Sequence, residues 1–192
     1  MGKSGEISKI FCNFAPDFRN QRKTMRTFIG NIDAKMDEKG RVFIPATYRK
    51  ILGEMRADRV VARRDAEHGC IIFYPENVWN SRLEALSEVL DDWNPDDERI
   101  LMQYVGEAEL LEADMQGRVL LSKKNTEYLN GKSDLVFVGM LDKFALWSRE
   151  QYEMQRIEPR ELARQIRERM AARVESQKSK VESRSASGVE NP

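Results

Sequence analysis

Two arginines stand at matching places in a repeated hexapeptide. The first copy reads Asp37-Glu38-Lys39-Gly40-Arg41-Val42; the second, displaced by 77 positions from Asp37 to Asp114, reads Asp114-Met115-Gln116-Gly117-Arg118-Val119. Asp opening a type I turn accepts backbone hydrogen bonds, and Gly closing it takes the left-handed conformation from which a strand can leave. Arg then starts the outgoing strand close enough to bridge back to Asp. One such copy is a hairpin with a surface ion pair that contributes about 0–1 kcal/mol. A second copy in the same context weakens that reading, because a turn needs its Asp and Gly but has no need of Arg. The arginines stay open between turn-stabilising ion pairs and a role beyond the turn.

Catalysis has little to work with. His68 is the sole histidine, so no second imidazole exists for a metal cluster, and no GxSxG nucleophile motif accompanies it. Gly131-Lys132-Ser133 imitates the end of a phosphate-binding loop, but Thr126 stands where that motif needs its first Gly. Cys12 and Cys70 form no CxxC, which argues against a disulfide framework or a zinc site. The carboxylates fall in a run beside Pro95 rather than as a separated acid–base pair. No catalytic residue, metal, cofactor or small-molecule substrate is expected.

Charge is sorted along the chain. The net charge is zero, yet residues 22–64 hold twelve Lys or Arg against five acids, whereas residues 84–114 hold eleven acids against Arg99 alone. That separation suits a protein with one anion-facing surface and an acidic region elsewhere that limits non-specific attachment, although charges that merely solvate helix faces are the more common origin of such a pattern. With 41% hydrophobic and 33% charged residues, no apolar run approaches the ~20 residues of a membrane span and no secretory core follows the N-terminus. The expectation is a cytoplasmic protein without a membrane partner.

Apolar runs flank both turns: Phe28, Ile29 and Ile32 before the first and Val42-Phe43-Ile44 after it, Leu110 and Leu111 before the second and Val119-Leu120-Leu121 after it. A duplicated strand-turn-strand is the result. In the first unit, strands are expected at 28–36, 41–44, 59–63 and 70–74. Pro45 opens a short helix over 46–52 that Gly53 ends, and Pro75 opens another from Glu76 to Leu90 with Trp79, Leu83, Leu86 and Leu90 as its apolar stripe. Asn94-Pro95 and the acids after it suit the start of a helix reaching about Tyr104. The second unit repeats the first: a strand through Leu111, a strand over 118–121, a helix over 123–129 capped by Ser122 and ended at Asn130-Gly131, then strands at 135–140, expected to be buried on both faces, and 144–147. Each unit is too small to bury a sufficient core alone, so the two should intertwine.

The expected organisation is an N-terminal extension over 1–24, with the fold starting near Met25, a first repeat over 28–77, connecting helices over 78–104 and a second repeat over 105–150. C-terminal helices follow over 151–175, where Leu162, Ile166, Met170 and Val174 form a candidate oligomer stripe, and a disordered tail over 176–192.

The segment Phe28-Ile-Gly-Asn-Ile-Asp, the run D-E-K-G-R-V-F-I-P, the Tyr74-Pro75 to Trp79 corner, Asn94-Pro95, the second D-M-Q-G-R-V-L-L and Lys143-Phe144-Ala145-Leu146-Trp147 together closely resemble the MraZ family of bacterial transcriptional regulators, over roughly residues 25–155. Ser122 departs from the proline of the first copy. The resemblance implies an α+β, mainly β fold: a pseudo-two-fold tandem of SpoVT-AbrB-type repeats in a swapped-hairpin β barrel with flanking helices. It further implies a nucleoid-associated, ring-like homo-oligomer that binds direct repeats in double-stranded promoter DNA and represses its own division and cell-wall operon. Carried onto this chain, Arg41 and Arg118 become the principal DNA contacts, Lys39 and Gln116 the tip residues beside phosphate or base edges, and Asp37, Gly40, Asp114 and Gly117 the geometry that presents them. An Arg fork can meet a phosphate or, bidentately, a guanine edge. The other reading is an oligomeric protein-interaction scaffold in which the Asp–Arg pairs only stabilise turns.

Overall fold

The computed structural model describes residues 27–186 apart from Asp92, and only the backbone of 176–186. The expected N-terminal extension lies outside the described residues. The chain divides after Glu153 into two compact units. The first holds β1 (Asn31–Lys35), β2 (Arg41–Phe43), α1 (Ala46–Glu54), β3 (Arg59–Asp65), β4 (Cys70–Pro75), α2 (Glu76–Ser87), α3 (Pro95–Gly106), β5 (Glu109–Glu112), β6 (Arg118–Leu120), α4 (Lys123–Tyr128), β7 (Asp134–Met140), β8 (Lys143–Ser148) and most of α5 (Arg149–Gln155). The second holds one long helix, α6 (Pro159–Ala186). No helix among the described residues is long and apolar enough to cross a membrane.

Strand pairing interleaves the two repeats. The main sheet is antiparallel in the order β1-β7-β8-β4-β3-β5, and β2 pairs with β6 in a separate ribbon. The first strand of each repeat therefore lies on the hairpin of the other: β1 on β7, β5 on β3. Exchanging the repeats leaves the order unchanged, which places a pseudo-two-fold between β4 and β8 and between β2 and β6. The expected local hairpin is only one bridge long, Met36 to Val42, because β1 and β2 then diverge to partners in the second repeat. Hydrogen bonding gives an open six-stranded sheet plus a ribbon, with β1 and β5 at the sheet edges; a closed barrel is not seen in it.

Period-two alternation gives the sheet two buried faces. Val60, Ala62, Ile71, Phe73, Leu135, Phe137, Phe144 and Leu146 face the main core, which also takes in Val42 and Val119 of the ribbon and Tyr48 and Leu129 from or beside α1 and α4. Val61, Cys70, Ile72, Tyr74, Ala145 and Trp147 face the other way, where Trp79 and Tyr104 stack 5.4 Å apart and join α2 to α3. Tyr152 meets Trp147 edge-on at the place where Trp79 meets Tyr74 with tilted rings.

Helix starts follow local chemistry. Pro45 and Pro75, both at φ −51°, precede α1 and α2 without a side-chain cap. Asn94 and Ser122 cap α3 and α4 by accepting from the backbone N–H of Asp96 and Asn125. Four expectations shift. α1 runs through Gly53 to Glu54, and the left-handed residue after it is Arg56. α2 stops at Ser87 rather than Leu90. β7 is buried only over Leu135–Phe137, its last residues being partly or fully exposed. The backbone of 176–186 continues α6 where a structureless tail was expected.

Candidate nucleic-acid interface

Each turn is built by one aspartate. Asp37 Oδ1 accepts from the backbone N–H of Lys39 and of Arg41, both at 2.9 Å, while Oδ2 accepts from Arg41 Nε at 2.7 Å. The backbone closes around it, Gly40 N–H donating to Asp37 O and Asp37 N–H to Arg41 O. The second turn copies every contact: Gln116 and Arg118 N–H reach Asp114 Oδ1 at 2.9 Å, and Arg118 Nε and Nη2 reach Oδ2 at 2.8 and 2.7 Å. Gly40 and Gly117, at φ +80° and +81°, take the left-handed conformation that the turn requires.

These bonds favour the ionised carboxylates. The Arg118 side-chain hydrogen bond, first among several donors, draws Asp114 from the usual 3.8 down to about 2. Asp37 is also lowered, with the backbone N–H of Arg41 foremost. The aspartate thus shapes the turn and holds one edge of the guanidinium, fixing the arginine before any ligand arrives.

The ribbon then brings the two arginines onto one surface. Its register sets Arg41 opposite Leu120, Val42 opposite Val119 and Phe43 opposite Arg118. Val42 and Val119 point into the core, so Arg41, Phe43, Arg118 and Leu120 all point out. The arginines occupy one diagonal of this square, which separates Cα atoms by about 7–8 Å, and Phe43 and Leu120, 54% and 58% exposed, occupy the other. Arg118 Cζ lies 5.8 Å from the Phe43 ring centroid, and its side chain is 21% exposed against 32% for Arg41. Each turn is tied across the two-fold, Leu121 N–H donating to Gly40 O at 2.9 Å and Ile44 N–H to Gly117 O at 3.0 Å. Lys39 and Gln116 are exposed at the tips, which the antiparallel register places at opposite ends of the ribbon.

Of the residues singled out in the sequence, Arg41 and Arg118 are brought together, whereas Lys39 and Gln116 are held apart. Phe43 and Leu120 belong to the same surface and were not singled out, although the alternation R-V-F and R-V-L carries the signal. The groups set aside as non-catalytic have structural partners. His68 Nδ1 lies 3.2 Å from Asp65 Oδ1 and its ring stands edge-on to Trp147. Burial pushes the Cys70 thiol up to about 12, the wrong direction for a nucleophile. Among the described residues no group of three or more His, Cys, Asp or Glu side chains could hold a metal ion.

Known proteins match the chain over most of its length. The chain matches the family model described as "MraZ protein, putative antitoxin-like" over residues 27–101 and 104–174. It is 37% identical to a protein named Transcriptional regulator MraZ from Bacteroides fragilis over 146 residues, 76% of this chain and 92% of the relative. A protein of the same name from Histophilus somni is 31% identical over 131 residues, 67% of this chain and 84% of the relative. One from Saccharophagus degradans is 37% identical over 123 residues, 64% and 83% of the two chains.

Proposed function

The chain belongs to the MraZ family, and on that premise we propose that it is a sequence-specific DNA-binding transcriptional regulator and not an enzyme. In this reading it works in the cytoplasm at the nucleoid, assembles as a ring-like homo-oligomer, and represses its own division and cell-wall operon from upstream direct repeats. The sheet and ribbon act as one split barrel with swapped first strands, residues 28–77 and 105–150 each contributing one DNA-facing turn. One observation carries the proposal: Arg41 and Arg118, each locked by its own aspartate, share the outer face of a ribbon that is cross-tied at both ends.

Rigidity matters here because an arginine already ordered loses less freedom on binding. Asp holds Nε, leaving the far edge of the guanidinium for a phosphate or for the O6 and N7 of guanine. Exposed Phe43 and Leu120 beside it can meet thymine methyl groups, so the square mixes polar and apolar base contacts. Two arginines per chain bind weakly, and a ring that engages successive repeats gains through effective concentration.

The test is a gel shift of the full chain against the duplex upstream of its own gene. Arg41→Ala and Arg118→Ala should each weaken binding by about tenfold or more, as expected for an Arg contact of roughly 1–3 kcal/mol, without changing the oligomer seen by size-exclusion chromatography. Unchanged affinity in both variants would overturn the site. Absence of any salt-sensitive, sequence-dependent shift by the parent protein would favour the scaffold reading.

A further inference from the structure

The two turns differ in charge. Asp37, Glu38, Lys39 and Arg41 balance one another, and the first turn also presents a cation at its tip. Asp114 and Arg118 balance as well, but Met115 and Gln116 give the second turn a neutral tip. A cation reaches that turn from elsewhere. Arg49, on α1 of the first repeat, extends across the two-fold until its side chain covers Gly117. A Cβ built on Gly117 would lie 2.6 Å from Arg49 Cδ and Nη1 and 2.7 Å from Cζ.

Arg49 is held there by one bond, Nε donating to Ile44 O at 3.2 Å, while Ile44 N–H itself donates to Gly117 O. The residue is exposed, and among the described residues no carboxylate forms an ion pair with it. Asp114, the nearest acid in the turn, is occupied by Arg118. The matching residue of α4 is Thr126, whose Oγ1 sits 3.5 Å from a Cβ built on Gly40 and donates to Ser122 O. Thus the first turn has a tip lysine and a neutral neighbour, and the second has a neutral tip and an arginine neighbour.

We propose that Arg49 is a third DNA contact, a phosphate-binding residue that supplies the second turn with the cation its own tip lacks. This rests on the DNA-binding reading of the ribbon. The Nε bond fixes one edge of the guanidinium against the backbone and Nη1 lies over Gly117, the residue before Arg118, so a phosphate flanking the base edge read by Arg118 would meet an ordered fork. The contact is electrostatic and sequence-independent: it sets affinity and register along the duplex rather than base choice.

The experiment measures binding of the full chain to the upstream duplex as a function of salt, with thermal melting alongside. Arg49→Gln should bind roughly tenfold more weakly at physiological salt and lower the slope of log affinity against log salt by about 1 per engaged chain. Arg49→Lys should restore most of the slope, since a phosphate accepts either cation. Parent-like affinity and slope in Arg49→Gln would overturn the proposal, as would equal weakening in both variants with the slope unchanged, which is the mark of a packing role over Gly117. Should Arg49→Gln fail to fold, Arg49→Met takes its place: a slope lowered by about 1 supports the contact and a parent-like slope overturns it. A parent protein that gives no salt-sensitive shift defeats the functional reading itself, a result distinct from these.

Discussion

Tyr48 and Asn125 occupy the same place on α1 and α4, and each is almost fully buried, at 1% and 2% exposure. Their surroundings are opposite. Tyr48 packs its ring against Phe28, Phe137 and Phe144 and sends its hydroxyl to Gly30 O at 2.9 Å. Asn125 donates from Nδ2 to Glu109 Oε2 at 2.9 Å, and Ser122 Oγ donates to the other oxygen of the same carboxylate at 2.6 Å. An aromatic plug fastens the first repeat, and a small polar knot fastens the second. The pseudo-two-fold is therefore a symmetry of backbone and turns, while side-chain packing is free to differ wherever each solution satisfies its own polar groups.

The plug should matter more. Tyr48→Ala removes a large ring from the centre of the core and is expected to cost about 3–5 kcal/mol, read as a loss of roughly 6–20 °C in Tm at about 2–4 °C per kcal/mol. A shift no larger than that of the matching Asn125 variant would break the comparison. Gly139 belongs to the same side of the contrast. Before β1 the chain continues along β7, Phe28 N–H bonding Leu141 O and Gly139 N–H bonding Gly30 O. A Cβ on Gly139 would lie 2.4–2.5 Å from the backbone of Phe28 and Ile29, atoms that cannot swing aside. In the second repeat the chain is still leaving α3 at this point, and the β3 position is Arg64. Gly139→Ala should cost about 1–3 kcal/mol or more as overpacking and release Phe28 from the core. Faster amide exchange at Phe28 and Leu141 would report it; an unchanged Tm and protection would refute it.

The polar knot predicts a smaller loss. Asn125→Ala leaves one Glu109 oxygen without its donor and should cost about 1–3 kcal/mol. Glu109→Ala together with Asn125→Ala should cost less than the two single losses combined, because the second change removes the group that the first left unsatisfied. Strict additivity in chemical denaturation would show that the three residues do not act as a unit.

These contrasts explain what could be read from the residues alone. Asp, Gly and Arg in the turns declare local geometry, and every bond expected of Asp37 is present in Asp114 as well. Pro45, Pro75 and Ser122 mark helix starts for local reasons, whereas α1 runs past Gly53, which tolerates the helix, and Arg56, its N–H bonded to Gly53 O, takes the left-handed turn. What local chemistry cannot specify is which strand accepts another. Turn residues fix the hairpin, but β1 joins β7 and β2 joins β6 through contacts between repeats. Arg49 escaped notice for the same reason: its partner Gly117 is on the other repeat, and nothing within α1 distinguishes it from a solvated helix arginine.

The finest test separates the two aspartates. Both carboxyls have values below the usual 3.8 in the folded protein, so each contributes stability that is present above about pH 4 and lost as pH falls through the folded value, near 2 for Asp114. The causes differ in order. For Asp114 the Arg118 side chain counts most; for Asp37 the backbone N–H of residue 41 does, and alanine keeps a backbone N–H. Arg118→Ala should therefore raise the Asp114 carboxyl markedly, whereas Arg41→Ala should raise Asp37 less. Carboxyl carbon chemical shifts followed through acid titration measure both. Equal rises in the two variants would mean that the second turn grips its arginine no more firmly than the first. Unequal rises in the expected order would make Arg118, held by Asp114 through two nitrogens and lying over Phe43, the more preorganised of the pair and the one whose loss DNA binding should feel more.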